Sequence, residues 1–172
     1  MKSYQKRYLS KGTVCLEKTK TPFLKKELSV LEDCCNKVKK EFIKIGDAGE
    51  SNYLWVGRFM SDKDRPRILN KHIAEHVVKI LDHKKVKKFV KEIINYENDI
   101  FIRRIQFNSL EKDCFIGYHL DTDSNPDYLC ACVIQLGKNY NGGLFRVYQD
   151  NNTFIDYKSN YQSLIISDCK FP

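Results

Sequence analysis

Tyr128-Leu129-Cys130-Ala131-Cys132-Val133-Ile134-Gln135-Leu136 is an apolar run of strand length. Close behind it comes Tyr140-Asn141-Gly142-Gly143-Leu144-Phe145-Arg146-Val147-Tyr148, a second run opened by the kind of glycine pair that a turn with positive φ uses. Working outward, residues 100–108, 114–121, 153–157 and 163–167 are also rich in β-branched and aromatic residues and read as strands. Turn residues separate them at Asn125-Pro126-Asp127, at 139–143 and at Asp150-Asn151-Asn152. Several short strands at this spacing predict a barrel or a double-sheet jelly roll.

The first half of the chain reads as helical. Between residues 23 and 45, Leu24, Leu28, Leu31, Cys35, Val38, Phe42 and Ile45 recur at steps of four and three, which places them on one stripe of a helix. Thr21-Pro22 supplies an N-cap and first-turn proline, and Gly46 a stop. Tyr53-Leu54-Trp55-Val56 marks a strand within residues 50–60, and the polar residues 62–66 break it. A second helical region follows, with Leu69, Ile73, Val77, Ile80 and Leu81 on one face. It bends at Asp82-His83 and continues through Val86, Phe89, Val90 and Ile93. The lysines at 84, 85, 87, 88 and 91 coat its outer side as a solvated face. The expected fold is α+β: a double-stranded β-helix (jelly-roll, cupin-like) with N-terminal helices packed on one sheet. Helices occupy roughly residues 20–96 and the jelly roll 99–172, in a single domain.

Size and composition fit this. A chain of 172 residues suits one domain with a sizeable core, and 42% hydrophobic residues exclude a disordered chain. Thirty Lys and Arg against 22 acids give a formal charge of +8. That excess suits an anionic partner such as nucleic acid, or a merely solvated basic surface. Seven cysteines show neither zinc-ribbon nor disulfide-framework spacing, so reduced thiols in the cytoplasm are expected. No apolar run approaches the roughly 18–20 residues of a membrane span, and no apolar signal core follows the basic start.

The chemistry rests on Tyr118-His119-Leu120-Asp121. On a strand, residues i and i+2 share a face, so His119 and Asp121 would project together. An imidazole and a carboxylate, joined by a second imidazole, make a facial triad that leaves Fe(II) with open positions. Taken alone, His-X-Asp is a weak motif that more often describes a solvated histidine at a strand-to-loop corner. Elsewhere, His72 and His76 sit i, i+4 on a helix, but without a third ligand they read as surface residues, as does His83. Cys130 and Cys132 read as small core hydrophobes, and Asp123 and Asp127 as turn formers.

The order of these segments resembles the prolyl-4-hydroxylase-like branch of the 2-oxoglutarate/Fe(II) oxygenases. Ile102-Arg103-Arg104-Ile105-Gln106-Phe107 leads to the His-X-Asp stretch, an apolar strand, the Tyr-X-Gly-Gly turn, and Ser163-Leu164-Ile165-Ile166-Ser167 near the end. The resemblance implies Fe(II), 2-oxoglutarate as co-substrate and dioxygen, with His119 and Asp121 as metal ligands. It implies hydroxylation of a C–H bond in a peptidyl (prolyl-like) or small-molecule substrate, with no residue selecting between them. Gln135, Tyr118 and Arg104 become candidates for binding the co-substrate, with Arg146 a further pocket candidate. Phe107 stands where relatives often carry a tyrosine and lacks its hydroxyl. The family's distal histidine, which follows a Leu-Ile-Ile-type strand, has no counterpart before Pro172, nor has the basic residue beyond it. The expectation is a fragment cut just before that ligand, with the last strands missing. Activity is then expected of the intact protein and not of these 172 residues alone. Two rivals stand beside this reading. One is a non-catalytic jelly-roll binding module with a vestigial metal site. The other is a nucleic-acid demethylase-type enzyme, suggested by the +8 charge.

Overall fold

The structure, a computed structural model, describes residues 1–62, 65–138, 140–149, 153–158 and 160–171. In chain order its elements are α1 (Lys2–Lys11), β1 (Thr13–Leu16), α2 (Lys25–Lys37), β2 (Lys40–Ile45), β3 (Ser51–Asp62) and β4 (Pro66–Ile68). There follow α3 (Lys71–Leu81), α4 (Lys84–Ile94), β5 (Ile105–Ser109), β6 (Phe115–Ile116) and α5 (Asp121–Ser124). The chain closes with β7 (Cys130–Ile134), β8 (Phe145–Tyr148), β9 (Phe154–Tyr157) and β10 (Leu164–Asp168). Every strand pairing among them is antiparallel. The mixture of helices with antiparallel sheet matches the expected class, but the simple division into a helical half and a strand half does not hold. Four strands precede α3. Contacts divide the chain into two compact units, and α4 contributes residues to both.

One unit comprises Met1–Pro22, Phe89–Glu97 and Tyr118–Pro172. Its main sheet runs β1-β10-β7, with Val14 opposite Ile166 and Ile166 opposite Cys132. As the middle strand, β10 buries Leu164, Ile165 and Ile166 almost completely. Ile165 also packs with Val147 of β8 and Tyr157 of β9, whose hairpin forms a second, two-stranded sheet. The sequence gives no apolar period for α1, because among its ten residues only Tyr8 is buried. The helix ends at Gly12, whose φ of 67° returns its N–H to the Tyr8 carbonyl at 2.8 Å. The Gly12 carbonyl then accepts from the Asp168 N–H at 2.7 Å, and the Phe171 ring lies where a Cβ would stand. Gly142 and Gly143 take positive φ (87° and 65°), as the turn demands. Asn139 and Asp150-Asn151-Asn152, read as turn residues, lie outside the described residues.

The other unit comprises Phe23–Lys88 and Asn98–Gly117. Its long strand β3 pairs with β2, β4, β5 and β6. Here two expectations fail. The helix expected from residue 23 to 45 ends at Lys37, and Lys40–Ile45 is a strand. The apolar period continues past the break, but Phe42 packs edge-on against Tyr53 (4.6 Å) and Trp55 (5.3 Å), and pairing with β3 overrides the helical pattern. The helix is not capped by Thr21-Pro22 either. Leu24 is the N-cap, and its N–H donates to Glu27 Oε2 at 2.8 Å. Leu28, Leu31, Cys34 and Cys35 form its buried face, and burial pushes the Cys35 thiol up to about 12. Helix α3 packs against α2 and β3. The break at Asp82-His83 stands where it was expected. Lys63 and Asp64, within the expected break after β3, lie outside the described residues. No helix among the described residues is long and apolar enough to cross a membrane.

Candidate metal centre

His119 Nε2 lies 3.7 Å from Asp121 Oδ1, with each side chain about a quarter exposed (25% and 24%). The two converge, though not as a strand face. Strand β6 is only Phe115–Ile116; His119 lies in irregular backbone, and Asp121 opens the single turn of α5. Leu120 between them is extended (φ −99°, ψ 131°), so the alternation that a strand would impose survives at this one residue.

The turn that carries Asp121 is held from several sides. Ser124 Oγ donates to the Asp121 carbonyl at 2.8 Å, and the Asp123 N–H to the Leu120 carbonyl at 3.0 Å. Both the backbone N–H and the hydroxyl of Thr122 donate to the Cys169 carbonyl, at 3.4 and 3.3 Å. Cys169 Sγ lies 3.9 Å from Asp121 Oδ2. Asn125 and Asp127 behave as turn formers: the Asp127 N–H donates to Asn125 Oδ1 at 2.9 Å.

The other candidates have partners of their own. Tyr118 is 67% exposed and meets the Tyr148 ring edge-on at 5.0 Å. Gln135 follows β7, and its side-chain amide donates to the Tyr140 hydroxyl at 2.9 Å. Arg104 belongs to the other unit, where its Nη1 donates to Asp47 Oδ2 at 2.9 Å. Arg146 forms a two-pronged pair with Asp156 directly across the β8–β9 ladder (2.7 and 2.8 Å). Phe107 lies under Lys40 Nζ at 5.5 Å from its ring centre. His72 and His76 are exposed on α3, as expected.

No family model matches the sequence, and no curated protein matches it. A solved structure does: the crystal structure of an oxidoreductase of the 2OG-Fe(II) oxygenase family from Burkholderia pseudomallei. It superposes with a TM-score of 0.90 and 31% sequence identity, over 99% of this chain and 80% of that one. The chain belongs to the 2OG-Fe(II) oxygenase family. That membership supports an enzyme and implies Fe(II) as its metal, with 2-oxoglutarate and dioxygen as co-substrates. The donor chemistry of the His119–Asp121 pair fits Fe(II): one imidazole nitrogen and one carboxylate oxygen, close together and reachable from solvent. The fit extends to two ligands. Among the described residues, no group of three or more His, Cys, Asp and Glu side chains is arranged to hold a metal. A separate shallow cavity of about 150 Å³, lined by Lys39, Glu41, Val56, Arg58, Leu69 and Asn70, contains none of the candidate residues of this oxygenase.

Sequence reading missed Thr122 and Cys169. They hold the Asp121 turn across a separation of 47–48 residues, and no local spacing signals such a pairing.

Proposed function

We propose that this oxygenase binds Fe(II) through His119 and Asp121 and hydroxylates a C–H bond of a peptidyl (prolyl-like) or small-molecule substrate. The observation that carries the assignment is the 3.7 Å approach of His119 Nε2 to Asp121 Oδ1. Bound together, Fe(II), 2-oxoglutarate and dioxygen supply the oxidising power, with the co-substrate decarboxylated to succinate. His119 offers an imidazole nitrogen, and Asp121 offers a carboxylate whose turn is fixed by Ser124 and Thr122. Preorganisation of this kind keeps the two donors converged before the metal arrives. The prolyl-4-hydroxylase-like branch and its double-stranded β-helix are supported by the order of motifs from Arg103-Arg104 to the Leu164-Ile165-Ile166 strand. Seven free thiols support a reducing, cytoplasmic setting.

Binding of Mn(II), followed by electron paramagnetic resonance, tests the ligands directly. Binding by the parent should weaken at least tenfold in His119→Ala and in Asp121→Ala while the circular dichroism spectrum is kept. Equal binding by all three proteins would remove the pair as ligands. Where the protein forms succinate from 2-oxoglutarate with Fe(II), the same substitutions should abolish turnover.

A further inference from the structure

We propose that Cys169 is a positioning residue, its thiol holding Asp121 Oδ2 so that Oδ1 stays turned toward His119. The inference rests on the reading of Asp121 as an iron ligand and adds a residue to it. Cys169 is 2% exposed and sits one residue beyond β10, on a stretch fixed at several points. Its N–H donates to the Leu129 carbonyl at 3.4 Å, just ahead of β7. Its carbonyl accepts both donors of Thr122, the neighbour of Asp121. Its sulfur, 3.9 Å from Asp121 Oδ2, faces the oxygen that is not turned to His119.

A carboxylate on a short side chain has a broad torsion about its last bond, so nothing intrinsic to Asp121 fixes the angle at which its plane presents an oxygen to the imidazole. A buried donor on one oxygen narrows that torsion and leaves the other oxygen facing His119. An S–H donor is weak, and one such contact alone would order little. Here the thiol is carried by backbone already bound to the same turn through Thr122, so its approach costs little further ordering. The end of β10 thereby sets the orientation of a group at the start of α5. Groups in this position behind metal ligands are worth about 10–100-fold in metal affinity.

The test compares Cys169→Ser, which keeps a donor, with Cys169→Val and Cys169→Ala, which do not. Mn(II) binding is read by electron paramagnetic resonance without co-substrate, beside thermal unfolding. We expect Ser within about threefold of the parent, and Val and Ala about tenfold weaker at a melting temperature close to that of the parent. Parent-like affinity in Val and Ala overturns the proposal, and so does an equal loss in all three, which would mark a packing role alone. Should the substitutions at 169 unfold the chain, Thr122→Val loosens the same tether from its other end. It should weaken Mn(II) about threefold, and unchanged affinity counts against the proposal. If Asp121→Ala itself binds Mn(II) like the parent, the ligand reading has failed and not merely the role of Cys169.

Discussion

Asp47 grips Arg58 with both carboxylate oxygens, Nη1 to Oδ2 at 2.9 Å and Nη2 to Oδ1 at 3.2 Å, while Arg104 reaches the same Oδ2 at 2.9 Å. Burial alone would raise the pKa of Asp47. The hydrogen bonds and charge of Arg58, with Arg104 behind it, outweigh burial and hold the carboxyl below its ordinary value. A depressed folded-state pKa means that the unfolded chain takes up the proton first as pH falls. The stabilisation is therefore complete above the unfolded value of about 4 and is lost as pH drops through the folded one. Asp47→Asn should destabilise the protein at pH 7 by up to about 1 kcal/mol, since the side chain is 41% exposed. The gap between parent and variant in urea unfolding should close below pH 4. A gap that stays constant from pH 7 to pH 3 would show that these pairs do not set the pKa.

Ile165 sits on the middle strand of the β1-β10-β7 sheet, 1% exposed, packed with Val147 and Tyr157. Ile165→Ala removes buried methyl groups from a site walled by strands on both sides, which limits collapse around the cavity. A loss of about 3 kcal/mol is expected in urea denaturation. A loss below about 1 kcal/mol would mean that the contacts at this site are not a core.

What the sequence makes legible, and what it hides, follows the range of the forces involved. The kink between α3 and α4 and the strand Leu164-Ile165-Ile166 come from local pattern and are found where they were expected. Residues 38–45 carry a helical period, yet Phe42 finds Tyr53 and Trp55 across a strand pair, and that partnership lies beyond any local window. Convergence of His119 with Asp121 is legible, although the cause is one extended residue and not a strand. The tether from Cys169 to Asp121 is not legible at all, because it joins residues 48 apart in the sequence.

Gly142 has a φ of 87° with open space around its missing Cβ, so the cost of a side chain there is purely conformational. Gly142→Ala should destabilise by about 1 kcal/mol, and Gly142→Asn by less, since asparagine tolerates the left-handed region. Thermal unfolding of the two variants checks the order. Alanine as stable as glycine would exclude the positive φ.

His119 is 25% exposed, so its removal opens a site that a solute can enter. If its imidazole is a metal ligand, free imidazole should replace it. His119→Gly is expected to bind Mn(II) at least tenfold more weakly than the parent, and tens of millimolar imidazole should restore much of that loss. Asp121→Ala should not respond in the same way, because imidazole adds a nitrogen donor and cannot supply the missing carboxylate oxygen. Its weakened binding should therefore persist at the same imidazole concentration. Equal recovery of both variants would mean that imidazole enhances Mn(II) binding elsewhere on the protein, and the assignment of His119 would then lose its support. Recovery confined to His119→Gly ties the metal to that one position, through a donor of the same chemistry as the side chain removed.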